Sequence, residues 1–224
     1  MNRVISFVRL DFITIKPYLT AKNLLLFVGV ALIMLIANDS MIGAIGLLMS
    51  FAALYASYPF AIGEKSNIDV LYTTLSIPRN TVVMGRYLFA LTLDMLAGFF
   101  TFSLSYVVLS VMQREVDVIA TLSAIPVMFF VFSLIQAIQL PMYFKLSYTK
   151  ARFIAYMPFI VLPLAIGVGS SFFKDILGSE QIIRLYGWLV VNPYKVALIS
   201  LAIWLACMAI SYRLSLYFYA KRDF

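Results

Sequence analysis

The chain has 224 residues, a formal net charge of +7, 63% hydrophobic residues and only 12% charged ones. An average soluble domain is about 45–50% apolar and about 25% charged, so a soluble enzyme, a disordered chain, collagen and a disulfide scaffold are all excluded. With a mean hydropathy of +0.98, the composition is that of an integral membrane protein with one membrane domain, residues 1–224. There is no His, which removes His-based triads, His-ligated metal sites and histidine proton shuttles. The one cysteine, Cys207, sits in an apolar run, so an internal disulfide is impossible.

Residues 1–17 read as an interfacial helix closed by Pro17. Val4, Val8, Phe12 and Ile15 form one stripe, and Asn2, Arg9 and Lys16 recur on another face, although Leu10 and Ile13 interrupt the pattern. A simple anchor and a helix that also contacts a partner are both open. No small-residue cleavage site follows, so a cleavable signal is not expected. A spanning helix needs about 20 mostly apolar residues. Six runs qualify, at 21–38, 41–62, 87–112, 119–144, 153–173 and 196–219. They are continuous rather than alternating, which excludes barrel strands. The expected fold is therefore all-α with six transmembrane helices. Lys and Arg set the orientation. With the N-terminus inside, thirteen of the 17 basic residues fall on inner segments and four (Arg114, Lys174, Arg184, Lys195) on outer ones. Both termini are expected in the cytoplasm of an inner (plasma) membrane protein.

The long inner segment is 63–86, GEKSNIDVLYTTLSIPRNTVVMGR. Ser66 and Asn67 can cap a short helix from Ile68 to about Leu75. Ile68, Leu71, Tyr72 and Leu75 share one face of it, with Asp69 and Thr73 on the other. Ile77-Pro78 ends it, because a residue before proline avoids the helical region. Such a helix either lies on lipid or docks into a groove of a soluble partner.

The run Glu64-Lys65, Ile68-Asp69, Leu71-Tyr72, Thr74-Leu75-Ser76-Ile77-Pro78-Arg79, Val82-Val83 and Gly85-Arg86-Tyr87-Leu88 resembles the cytoplasmic loop of small ABC exporter permeases of the second type. Ser76 stands where that family often has Pro, and Arg86 where it often has Lys. The resemblance extends along the chain, through an N-terminal interfacial helix, six spans and a short basic C-terminus. It implies that segment 63–86 carries the coupling helix, which seats on a separate ATPase subunit. Glu64, Lys65, Asp69, Leu71, Tyr72, Leu75 and Arg79 are then the contact set, with Leu71 and Tyr72 as anchors and Glu64 as a polar latch. It further implies a second permease copy or paralogue, and short re-entrant outer helices between spans five and six. The chain has no Gly-Lys pair and hence no P-loop. ATP and its Mg²⁺ are thus expected in the partner chain, and no catalytic, metal or cofactor site in this one.

Asp94 is the one acid deep in a span, about 12 Å beyond Arg86 at about 1.5 Å per residue. Arg213 on span six lies at a similar depth, so an Asp94–Arg213 pair is one reading. Arg213 snorkelling alone, with Asp94 facing a wet cavity, is another, and a proton-coupling Asp94 a third. Gln136 and Gln139 share a face of span four, lining a path or bonding a neighbouring helix. Pro126, Pro158 and Pro163 are expected to kink their spans. Small residues in span two (Gly43, Gly46, Ser50) and span five (Ala165, Gly167, Gly169, Ser170, Ser171) read as close-packing positions. Segment 174–195 is too apolar for a free loop and too broken by Gly178, Gly187 and Pro193 for a span.

The leading expectation is the membrane subunit of an ATP-driven exporter working by alternating access. Spans rich in Phe, Tyr and Met suit a hydrophobic or amphipathic cargo, with a peptide such as a bacterial antimicrobial peptide the best match to the resemblance. The competing class is a motor-independent ion- or proton-coupled transporter or channel using Asp94. An intramembrane protease fails for want of His or of a second buried Asp.

Overall fold

The computed structural model describes residues 2–38, 41–66, 68–114, 118–146, 148–159, 161, 184, 187–188 and 191–222. All regular elements among them are helical: α1 (Asn2–Ile15), a 3-10 turn (Lys16–Tyr18), α2 (Ala21–Asn38), α3 (Met41–Tyr55), α4 (Tyr58–Ser66), α5 (Ile68–Thr74), α6 (Arg79–Val111), α7 (Val118–Lys145), α8 (148–159) and α9 (Pro193–Ala220). Four helices or continuous helix pairs are long and apolar enough to cross a membrane: Met41–Ser66, Arg79–Val111, Thr121–Lys145 and Tyr194–Ala220. Segments Arg3–Tyr18 and Ala21–Ala37 meet at 87° and count as a fifth at most. Most of the expected fifth span, with Pro163 and the 165–171 small residues, lies outside the described residues. So does most of the outer segment.

Two element boundaries differ from expectation. The second span does not stop at residue 62 but continues to Ser66, with a break at Ala56-Ser57. Pro59 causes the break, since it lacks an N–H and its ring crowds the carbonyl one turn back. Ser57 covers the interruption by donating Oγ and N–H to the Leu54 carbonyl at 2.7 and 3.1 Å. The third span begins at Arg79 rather than Tyr87. Pro78 sits just before its first turn with φ −59° and ψ 132°, a geometry that a proline ring accepts. At 33 residues α6 is about 50 Å long, against a hydrocarbon core of about 30 Å. Its first two turns therefore need not be apolar, which is why hydropathy missed them.

The centre of the bundle is where α3, α6 and α7 meet. Ile45, Met49 and Ala53 of α3 pack against Ile125, Phe132 and Ile135 of α7. Gly98 of α6 lies against them: a Cβ there would stand 3.2 Å from Ile125 and 3.5 Å from Met49. The periphery is α2 and α9, where Leu25, Ile33, Leu198 and Ile210 are all more than 60% exposed. In water such surfaces would drive aggregation; against lipid they have no cost.

α1 lies on α6 and α4, close to perpendicular to α2. Its buried line is Phe7, Asp11 and Ile15, flanked by half-buried Val4, Val8 and Phe12. The expected stripe is thus turned by part of a residue step, and its centre is an acid. Gly85 makes the docking possible, because a Cβ there would come within 3.1–3.2 Å of Phe7 Cγ and Cβ.

Candidate functional site

The residues singled out from the sequence gather at one end of the bundle, where α1, α4, α5, the start of α6, the start of α8 and the end of α9 come together. This is also the end richest in Lys and Arg.

α5 forms where capping and periodicity place it. One side turns inward. Tyr72 is 4% exposed and meets the Phe7 ring edge-on at 5.2 Å, with half-buried Ile68 beside it. The other side turns out, with Val70, Leu71 and Leu75 exposed by 45%, 52% and 62%. The four residues read as one apolar face are therefore divided between inside and outside, and Tyr72 already serves the chain's own core. Asp69 lies in α5, and Lys65 is exposed at the end of α4. The helix ends on Ser76 at φ 52°, with Ile77 N–H reaching back to the Tyr72 carbonyl at 3.0 Å. A proline cannot adopt that φ, so a Pro at this place is incompatible with this turn.

Glu64 and Arg79 flank α5 and point into the bundle's own helix ends. Glu64 accepts from the backbone N–H and the hydroxyl of Thr149, both at 3.0 Å, at the start of α8. Arg79 donates to the carbonyls of Tyr219 (3.3 Å) and Ala220 at the end of α9. Beneath them is an ion pair that sequence reading missed. Arg86 NH1 is 3.1 Å from Asp11 Oδ1, and both side chains are almost fully buried. The guanidinium lies 4.8 Å from the centre of the Phe60 ring and 5.7 Å from that of Phe7. The pair lacks hydrogen-bond alignment, leaving both Asp11 oxygens and Arg86 Nε and NH1 without such a bond among the described residues. Burial pushes the Asp11 carboxyl up to about 6, with Arg86 opposing. A signal was available: Asp11 is the one acid in the first 38 residues, spaced four from both Phe7 and Ile15. An acid on a buried face needs a cation.

Deeper in the bundle, Asp94 is fully buried and its partner is on α7: Gln136 Nε2 donates to Asp94 Oδ1 at 3.0 Å. Arg213 is exposed, and no Asp94–Arg213 ion pair forms among the described residues. The Asp94 side chain is buried within the bundle, whereas that of Arg213 faces outward. Beyond Arg79, α6 is also linked to α9 by Tyr87, whose hydroxyl meets Ser211 Oγ at 2.5 Å and Ser215 Oγ at 2.8 Å. Gln139 donates to the Ala155 carbonyl of α8 at 2.7 Å. Both glutamines thus bond neighbouring helices. Among the described residues no group of His, Cys, Asp and Glu side chains is placed to hold a metal ion.

Several apolar helices of spanning length, a near-perpendicular amphipathic helix and a basic end with a half-exposed helical segment define a multi-pass helical membrane protein. Residues 6–220 match the family model described as ABC-2 family transporter protein, and the chain belongs to that family. It is a membrane permease of an ABC transporter, in a family whose permeases work with ABC ATPases. No curated protein and no solved structure matches it.

Proposed function

We propose that the chain is the membrane subunit of an ATP-driven exporter, with its basic end in the cytoplasm and both termini there, and that α5 is where a separate ATPase seats. The observation that carries this is the outward edge of α5. Val70, Leu71 and Leu75 remain exposed on a short helix whose opposite side is fixed in the core by Tyr72. A seven-residue helix is too short to persist on its own. Here it is held by the chain through Tyr72, and its exposed edge has the form of a helix presented to a groove. The thirteen basic residues that the six-span reading assigns to inner segments support the cytoplasmic placement. ATP and Mg²⁺ would be bound by the partner, whose closure would reach the spans through α5. A second permease copy completes the path.

The cargo class that fits best is hydrophobic or amphipathic, a peptide in the first instance. An apolar groove of about 350 Å³ between α2, α3 and α6, lined by Phe27, Phe51, Tyr55, Leu93, Leu96 and Phe100, supports it.

The test is affinity purification of the tagged chain from native membranes, wild type beside Leu71→Asp. The wild type should carry a stoichiometric ATPase, and the variant should lose it. The variant's thermal stability should stay within about 0.5 kcal/mol of wild type, as for other surface changes. An ATPase retained by the variant removes α5 from the interface. No ATPase with wild type turns the reading to a motor-independent transporter, with Asp94 the first residue to change.

A further inference from the structure

The two charged residues that flank α5 are each engaged with the end of a different helix. Glu64, four residues before α5, holds the first turn of α8 through Thr149. Arg79, five residues after it, holds the last turn of α9 through the Tyr219 and Ala220 carbonyls. These contacts join positions 85 and 140 residues apart in the chain. The signs are complementary to the helix ends. A carboxylate faces the N–H groups of a first turn, and a guanidinium faces the free carbonyls of a last turn, where each macrodipole favours that charge. Between the two anchors, α5 presents its outward edge, Val70, Leu71 and Leu75.

We propose that Glu64 and Arg79 are internal struts that carry a displacement of α5 to α8 and α9, and are not contacts to the ATPase. This rests on the reading of α5 as the ATPase seat. The consequence is a division of labour within one short segment: apolar residues of α5 receive the push, and the charges on either side pass it to α8 and α9. Because each strut joins a side chain to a helix terminus rather than to a mid-helix position, it moves the whole helix axially or in tilt without disturbing its packing face. Glu64 and Arg79 are positioning residues on this account. Their removal uncouples the helices from the motor and leaves the motor bound.

The experiment uses the permease–ATPase complex in nanodiscs. In a Cys207→Ser background, a single reporter cysteine replaces Phe153 on α8, which is 71% exposed. Its maleimide labelling rate is read without nucleotide and with a non-hydrolysable ATP analogue. Nucleotide should change the rate several-fold in the parent protein. Glu64→Ala and Thr149→Pro should each reduce that change to under twofold while the ATPase stays bound and hydrolyses ATP. Thr149→Pro removes the donated N–H and hydroxyl at a first-turn position where proline is tolerated. The double variant should be no worse than either single one, and Thr149→Ser should behave as parent. A reporter at Lys195, exposed at the start of α9, should respond to Arg79→Ala in the same way. Loss of the ATPase from Glu64→Ala but not from Thr149→Pro would make Glu64 a motor contact and overturn the proposal. So would an undiminished nucleotide response in both variants. If no ATPase accompanies the wild type, the functional reading fails separately. The strut is then judged on the permease alone, where additive shifts in melting temperature for Glu64→Ala and Thr149→Pro overturn it and non-additive ones sustain it.

Discussion

α1 and α5 are both short amphipathic helices at the basic end, yet they are built for different ends. α1 buries three successive turns of one face, Phe7, Asp11 and Ile15, and accepts an ion pair with Arg86 in doing so. α5 buries one tyrosine and leaves three aliphatic side chains exposed. The partners explain the difference. α1 has a complementary surface within the chain: Gly85 opens the α6 backbone to Phe7, and Arg86 one residue on meets Asp11. α5 has such a surface on one side only. An amphipathic pattern announces that a face will be covered; what covers it depends on whether the rest of the chain supplies a match.

The comparison can be broken most severely at Arg86. Arg86→Ala leaves Asp11 buried without its cation and should loosen α1 by about 3–5 kcal/mol. The readout is hydrogen exchange of residues 2–15, with α5's outward edge and ATPase association affected only secondarily through the Phe7–Tyr72 contact. The double change Asp11→Leu with Arg86→Met removes both charges and should restore most of the protection, since a buried pair replaced by apolar groups is often neutral or better.

A smaller effect comes from pH. The folded Asp11 carboxyl titrates near 6, above its ordinary value of 3.8. The docked state therefore binds the proton more tightly than the undocked one, and protonation favours docking. The contribution is fully present below the ordinary value and is lost as pH rises through about 6. Protection of α1 should fall about tenfold between pH 5 and 7 and level off above, about one pKa unit's worth of linkage. After correction for intrinsic exchange, a flat profile over that window would show that Arg86 offsets the burial of Asp11 completely.

The smallest change sharpens the α5 side. Ser76 holds a left-handed backbone at φ 52°. Glycine adopts that region without a Cβ clash, so Ser76→Gly should steady the end of α5 by about 1 kcal/mol. Ser76→Pro, which cannot adopt that φ, should melt the turn instead. Exchange at the Ile77 amide, which bonds the Tyr72 carbonyl, distinguishes the two.

Much of this was legible before any coordinates. The helical class, a separate N-terminal helix closed near Pro17, the position of α5 and the C-terminal ends of α6, α7 and α9 follow from hydropathy, periodicity and proline. These signals are local, and a membrane sharpens them because backbone polar groups in lipid must be satisfied within the helix. Positions where helices leave the bilayer were less legible. Arg79–Arg86 is helical because the preceding proline starts it and α1 packs on it, and hydropathy registers neither.

The partners of polar groups were illegible, and the reason is geometric. Asp94 is buried and bonded to Gln136, whereas Arg213 faces outward. Glu64 and Arg79 read from the resemblance as residues for another protein, yet both are engaged with distant helix ends of their own chain. The sequence by itself determined that this is a helical membrane protein with an amphipathic element between its second and third spans, because length and periodicity of apolar runs are properties of each segment alone. Only the tertiary structure decided which charge meets which, and which face of α5 stays free, because a side chain's partner depends on the rotation and tilt of helices that no single segment encodes.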